Sequence, residues 1–388
     1  MRHAHAGGTE RHLNQVAAHL AELGHEVTIL CRSHEQAPHP RVRFELLRPF
    51  AIGATWRVAS FAYAVERHLQ RHSYDVVYGL GRTWTQDALR LGGGSHATYL
   101  ETAHASTRVG LKRLTTLWEP KHAFQLRAER RALLSPDLRR VVVNARMVQE
   151  DIMRRYGLPA TRFELIYNGV DLERFHPAAH SAAGANLRRE LGIDPTTPVL
   201  LFLGSGYARK GLDLVLRTFA RLRTRRAQLI VVGYDSAQSL YEAQARALGV
   251  RDRAHFLGGR RDTQVCYAAA DLYLLPTLYD PFANTTLEAL AAGLPALTTR
   301  TNGAHELISD GVDGSILPSG SEGPDAEQAW AEAIERWLEP VTLCGGRAAA
   351  RALAEQHSVE SKMRATAKML EELTRGSPST TVEADMGS

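Results

Sequence analysis

Short apolar runs, each closed by a turn and followed by an amphipathic stretch, occur in two successive series along this chain and constrain its fold more than any other feature. The first series is "HEVTILCR", "YDVVYGL", "ALRLGGGS" and "RRVVVN", and the second is "PVLLFLGS", "AQLIVVGY", "AHFLG" and "DLYLLPT". A strand with one face in water alternates apolar and polar residues, whereas a strand covered by helices on both faces is apolar throughout. The intervening segments have helical spacing: "TERHLNQVAAHLAELG" with Gly24 at its stop, "DLVLRTFARLRT" and "SLYEAQARALG". The reading is therefore α/β, with two doubly wound domains joined near residues 170–185.

The chain's 388 residues exceed what one core fills. The boundaries expected are an N-terminal domain over 1–172, a C-terminal domain over 185–345, a C-terminal helix over 346–375 and a disordered tail over 376–388. The three cysteines, Cys31, Cys266 and Cys344, stand far apart without metal-ligand spacing, so neither a zinc site nor a disulfide framework is expected. No apolar run reaches the roughly 20 residues of a membrane span, and no signal peptide opens the chain, so a cytoplasmic protein is expected. The net charge of +5 is uneven: residues 1–170 hold 24 basic against 15 acidic side chains, out of 47 and 42 in the whole chain. That asymmetry fits an anionic membrane surface or a polyanion near the first half, although a solvated basic face is the commoner cause.

Ligands of open parallel sheets bind where the strands end, so the turns after strands are where chemistry is sought. "GSGYARKGLDL", residues 204–214, follows the strand "VLLFL" and precedes a helix. Its glycines, Gly204 first, let a ligand approach the backbone, and Arg209 with Lys210 places two cations beside a helix start, which suits a diphosphate. The spacing is not that of a Walker A loop. A second such turn lies in "LYDPFANTTLEALAAGLPALTT", residues 278–299. Asp280 is in its loop, the amides of Phe282, Ala283, Asn284 and Thr285 sit at the start of the following helix, and Glu288 comes one turn inside it, so both acids can face one cleft. Taken alone, each turn reads more readily as a tight turn with solvated charges or an ordinary helix cap.

Together these segments resemble the family 4 retaining glycosyltransferases, which have the GT-B fold of two facing Rossmann-like domains. The resemblance runs through "GGTERHLNQVAAHLAELGHEVTIL", "VVVNARMVQEDIMRRYGLPATRFELIYNGVDLERF", "GSGYARKGLDLVLRTFARL", "AAADLYLLPTLYDPFANTTLEALAAGLPALTT" and "NGAHELISDGVDG". Within the family, the turn "GSxxxRKG" and the basic N-domain segment look most like the lipopolysaccharide-core glucosyltransferases. The resemblance implies that Arg209 and Lys210 neutralise the donor diphosphate and that Glu288 holds the ribose hydroxyls. It implies that Asp280, with the amides of Phe282 to Thr285, binds the transferred sugar and distal phosphate. Gly7 and Gly8 would close on the donor from the N-domain, and Arg174 is a second phosphate or acceptor contact or an ordinary interdomain arginine. The implied donor is a nucleotide-sugar, expected to be a UDP-sugar. No cofactor, metal or nucleic-acid partner is expected.

Three departures from the family pattern stand out. Asp280 replaces the usual glutamate. Gly92, Gly93 and Gly94 occupy the place where many members have a His or Asp, with His96 just beyond as a candidate acceptor or sugar contact. Only "MRHAHA" precedes Gly7, where a buried strand is expected, which suggests a true start upstream of Met1. Double displacement is not expected, because Glu288 would be with the ribose and no second acid is identifiable opposite Asp280. The resemblance implies instead retention without an enzyme nucleophile, the acceptor hydroxyl attacking on the leaving-group face while a phosphate oxygen takes its proton. The acceptor is expected to be an envelope glycan or a lipid-linked sugar, reached from the inner face of the inner membrane. Residues 101–140 carry nine basic against four acidic side chains, interleaved with Leu111, Leu114, Leu117, Trp118, Phe124 and Leu126, which suits an anionic interface or a packed core face. A non-catalytic nucleotide-sugar-binding relative is the alternative, and a nucleotide-sugar epimerase a third reading.

Overall fold

The structure is a computed structural model, which describes residues 8–34, 37–81, 83–106, 120–320 and 324–375. Its strands fall into three wholly parallel sheets. In the first half, β1 (Val27–Cys31) pairs with β2 (Val42–Leu46), Val27 opposite Val42 and Cys31 opposite Leu46. A four-stranded sheet follows in the order of the sequence: β3 (Tyr78–Gly79), β4 (Ala88–Arg90), β5 (Arg140–Val143) and β6 (Phe163–Leu165). β5 lies between β4 and β6, and its Val141, Val142 and Val143 are fully buried, as a strand covered on both faces requires.

The second half forms one six-stranded sheet from β7 (Val199–Leu203), β8 (Gln228–Val232), β9 (Ala254–Phe256), β10 (Leu272–Leu275), β11 (Ala296–Thr299) and β12 (Gly314–Leu317). The spatial order is β12-β11-β10-β7-β8-β9. The chain begins at the centre with β7, winds outward to β9, returns to β10 beside β7 and winds outward the other way. The connections leaving β7 and β10 therefore diverge, and a crevice opens at their carboxyl ends. This topological switch point puts the two turns singled out in the sequence next to each other. The two-domain α/β reading is observed.

The stretch expected as one helix over 346–375 is instead two, Pro340–Glu355 and Val359–Arg375. The first packs on the helix Asn284–Ala291 of the second domain. The second returns to the first domain, where Met363, Met369, Leu370 and Leu373 join Val16, Val142 and Ile166 in one apolar cluster. Between them the chain crosses beside the earlier interdomain segment: Val170 N donates to His357 O at 2.9 Å and Val359 N to Val170 O at 3.1 Å. The two crossings form a parallel bridge between Val170 and Ser358.

A carboxylate also holds the domains together. The helix Arg146–Tyr156 begins at Ala145, which has no side chain to cap it. Glu306 of the second domain does so instead: its carboxylate accepts from Arg146 N at 2.7 Å and Met147 N at 2.9 Å, and Tyr167 Oη donates to it at 3.0 Å. An anion at a helix N-terminus satisfies orphan amides and meets the positive end of the dipole. Glu306→Ala should lower the urea unfolding midpoint by the equivalent of about 0.5–2 kcal/mol, the usual worth of a helix cap. Glu306→Gln, which keeps one acceptor oxygen, should lose less, and an Ala variant with an unchanged midpoint would show that the clasp contributes nothing.

Candidate active site

The turn after β7 runs through one helical turn, Tyr207–Lys210, that presents Arg209 and Lys210. Gly211 closes it at φ 81°, and a Cβ there would lie 2.1 Å from Pro276 O in the loop after β10. A side chain is excluded both by the left-handed backbone and by that approach. Gly204, at the end of β7, lies under the stem of Lys210, with space for a Cβ only 3.2 Å from the Lys210 Cγ. Leu278 N at 2.8 Å and Thr277 Oγ1 at 3.0 Å both donate to Arg209 O, which joins the two loops.

Asp280 lies at the meeting of these loops. Its Oδ2 accepts from Lys210 Nζ at 2.5 Å and from Arg209 Nη1 at 3.1 Å, while Oδ1 accepts from Phe282 N at 3.1 Å. Lys210 and Asp280 are largely buried, and Arg209 is partly exposed. Burial pushes the Asp280 carboxyl up, but the charges and hydrogen bonds of Lys210 and Arg209 outweigh it and hold it below its ordinary value. Burial draws Lys210 down from its ordinary value, against the opposing pull of Asp280. Two cations share one carboxylate, which leaves a net charge of about +1 at the switch point.

Glu288 stands on a different surface. It lies on the wall of a cleft of about 280 Å³ between the domains, together with Gly8, Arg11, Arg174, Phe282 and Asn284. Its Oε2 accepts from Tyr267 Oη at 3.0 Å, and Tyr273 Oη donates to Thr285 Oγ1 at 2.7 Å beneath it. Burial raises the Glu288 carboxyl above its ordinary value, opposed by the Tyr267 hydrogen bond and the charges of Arg11 and Arg174. Across the cleft, Asn168 Nδ2 donates to Asn284 Oδ1 at 2.7 Å.

The model of Glycosyltransferase Family 4 matches residues 6–174, and that of Glycosyl transferases group 1 matches residues 197–340. The chain belongs to the family 4 glycosyltransferases. It is 29% identical over 316 residues to the lipopolysaccharide glucosyltransferase WaaG of Escherichia coli (strain K12), covering 80% of this chain and 82% of that protein. It is also 29% identical over 364 residues to a D-inositol 3-phosphate glycosyltransferase of a Mycobacterium species (strain KMS), covering 87% and 80%. The crystal structure of WaaG, a glycosyltransferase involved in lipopolysaccharide biosynthesis, aligns with a TM-score of 0.74 at 26% identity over 95% of this chain and 97% of that one. The fold is GT-B.

Seen in this glycosyltransferase, the residues singled out in the sequence divide into groups. Arg209, Lys210 and Gly204 stand together at the switch point, and Glu288, Arg174 and Gly8 line the cleft. Gly7 lies outside the described residues. Asp280 does not face the cleft with Glu288 as its spacing suggested, because the two cations of the neighbouring loop hold it. Of the four amides expected to meet an anion, Phe282 N is taken by Asp280 and Ala283 N by Asn302 Oδ1 at 3.1 Å, which leaves those of Asn284 and Thr285. Arg174 is held by Arg261 O at 3.3 Å and Gln264 Oε1 at 3.4 Å and lies over the ring of Phe175.

His96 does not line the cleft. It opens the helix His96–Ser106, its N–H donates to Glu129 at 2.8 Å, and its ring lies 3.0 Å from His122 Nδ1. Of the segment 101–140, residues 107–119 lie outside the described residues. In the helix Pro120–Leu133, Phe124 packs against the first-domain core, while Arg127 and Arg130 are exposed. Arg127 and Arg130 line a separate cavity of about 540 Å³ with Trp84 and Arg131. Sequence reasoning missed Tyr267, Asn302 and Asn168, whose only signal is proximity in the fold.

Replacing Asp280 tests the pairing. Asp280→Ala leaves two cations without their carboxylate and should cost about 3–5 kcal/mol in chemical denaturation at neutral pH. The folded-state pKa of Asp280 lies below the unfolded one, so its contribution is complete above about pH 4 and is lost as pH falls through the folded value. The gap between wild type and variant should therefore shrink on acidification, and a gap constant with pH would show that the carboxylate charge is not what stabilises the loops.

Proposed function

We propose that this glycosyltransferase moves a sugar from a UDP-sugar to an envelope glycan or lipid-linked acceptor, with retention and without a metal, in a role akin to lipopolysaccharide-core assembly. The observation that carries the reading is the placement of Arg209 and Lys210 at the switch point, sharing a single carboxylate, beside a cleft with Glu288 on its wall. A diphosphate placed there meets a net positive charge, with the amides of Asn284 and Thr285 at a helix start. As the sugar–phosphate bond breaks, negative charge grows on the departing diphosphate, and cations already fixed in place stabilise it without reorganisation. Glu288, as a carboxylate, accepts from both ribose hydroxyls and fixes the nucleotide in register. Asp280 acts as a positioning residue for the two cations. The exposed Arg127 and Arg130 form the basic face through which an anionic membrane surface is approached.

The test is donor hydrolysis and transfer across UDP-, GDP- and ADP-sugars, with and without EDTA, with membrane extract as acceptor. One donor should be turned over at an EDTA-insensitive rate. Lys210→Ala should slow turnover about ten- to a hundredfold, the worth of one charge-assisted hydrogen bond. Glu288→Ala should chiefly raise the donor KM. The raised pKa of Glu288 means that it protonates at higher pH than an ordinary glutamate, so the donor KM should climb early on acidification in wild type and not in Glu288→Gln. Loss of activity in EDTA, restored by a divalent ion, would overturn metal independence. Saturable donor binding with no turnover would favour a non-catalytic nucleotide-sugar-binding protein.

A further inference from the structure

At the floor of the cleft, where the chain crosses between domains, three basic side chains meet from three elements. His12 comes from the helix Gly8–Glu22, Arg90 from the end of β4, and Lys362 from the helix Val359–Arg375. His12 is 3% exposed and Lys362 8%. The Tyr78 hydroxyl lies 3.4 Å from His12 Nε2 and accepts from Arg90, and Arg90 Nη2 donates to Asn168 Oδ1 at 2.7 Å. After these contacts His12 Nδ1 and Arg90 Nη1 remain buried without a hydrogen-bond partner. Among the described residues Lys362 has no ion pair, and the one charge that acts on it is that of Arg90.

No group in the cluster balances this charge. Burial pushes the Tyr78 hydroxyl up to about 12, so it stays neutral. Burial, with Arg90, pulls Lys362 down to about 7. Of the cleft's carboxylates, Asp171 at the crossing accepts from Arg174 N, and Glu288 on the second domain feels Arg11 and Arg174. Buried cations without counter-ions destabilise a fold, and unpaired donors that converge on a cleft are the arrangement an oxyanion completes.

We propose that His12, Arg90 and Lys362 bind an oxyanion carried by the acceptor, a phosphate or carboxylate group on the molecule that receives the sugar. The assignment to the acceptor rests on the donor reading above. The diphosphate cations Arg209 and Lys210 belong to the second domain and do not line this cleft, whereas His12 and Arg90 belong to the first. A substrate spanning both would place its reactive hydroxyl between the domains while its anion anchors at the crossing.

The experiment is calorimetric titration of inorganic phosphate, and separately of acetate, into the full chain saturated with UDP, in wild type, Lys362→Met and Lys210→Ala. Phosphate should bind the UDP-loaded wild type, and Lys362→Met should weaken it at least about tenfold while UDP affinity changes less than about twofold. Lys210→Ala should show the reverse pattern. Binding of phosphate alone points to a phosphorylated acceptor, and equal binding of acetate points to a carboxylate. Phosphate should also raise the thermal midpoint of wild type and not of Lys362→Met, which is expected to fold because it removes an unpaired buried charge. Phosphate binding that is absent, or unchanged in both Lys362→Met and Arg90→Met, overturns the proposal, as does weakening of UDP by Lys362→Met. If UDP fails to bind wild type, the donor reading fails, and titration of the free protein still judges the cluster.

Discussion

The contact of Asp280 with Lys210 and Arg209 is the interaction on which the rest of the site depends. A parallel sheet wound outward in both directions from its centre brings two loops together at the switch point but does not fix their spacing. Here one carboxylate is shared by two cations from the other loop, and Pro276 O closes on Gly211 below it. Exposed ion pairs are worth little, but a largely buried one loses much if a partner is removed. With two cations on one carboxylate, the switch point keeps a net charge of about +1.

The second constraint is the double crossing between domains. Residues near Val170 and Ser358 run side by side, and the last helix returns to complete the first domain's core. Glu306 caps a helix of that domain, and Asn168 meets Asn284 across the cleft. Beside these polar contacts, the Tyr167 ring lies 6.2 Å from that of Phe282 across the interface. A clasp of that kind sets the spacing of two walls without welding them, which a site built from both walls requires if substrates are to enter and leave.

What the sequence made legible follows from what is local. β5, β7, β8 and β10 are buried on both faces and read as unbroken apolar runs. β2 alternates as "VRFEL", β11 is the threonine-bearing "ALTT" and β12 the short "GSIL", so none of these stands out by composition. Arg209, Lys210 and Glu288 were legible because they sit in turns and at a helix start defined by their own neighbours. The partners of Asp280 lie 70 residues away or more, and nothing at that separation marks a pairing in one sequence. The spacing of Asp280 and Glu288 invited the view that they share a cleft, but helical periodicity governs only residues inside the helix, and Asp280 lies before it. The break between the last two helices was hidden for a similar reason, since the requirement to cross back comes from the other domain's core.

The charges of the two walls then take on opposite meanings. On the second domain, Lys210 and Arg209 are interleaved with Asp280, and Glu288 lies in the field of Arg174 and of Arg11 from the first domain's opening helix. Such a wall costs little when folded, and a ligand there must compete with an existing partner. On the first domain the floor holds Arg90 and Lys362 with a neutral tyrosine and a histidine that burial keeps uncharged. A ligand anion there displaces no partner and relieves a penalty the fold already bears. The first-half excess of basic residues, read from the sequence as a surface property, thus includes Arg90, whose position beside the domain crossing makes it part of the cleft.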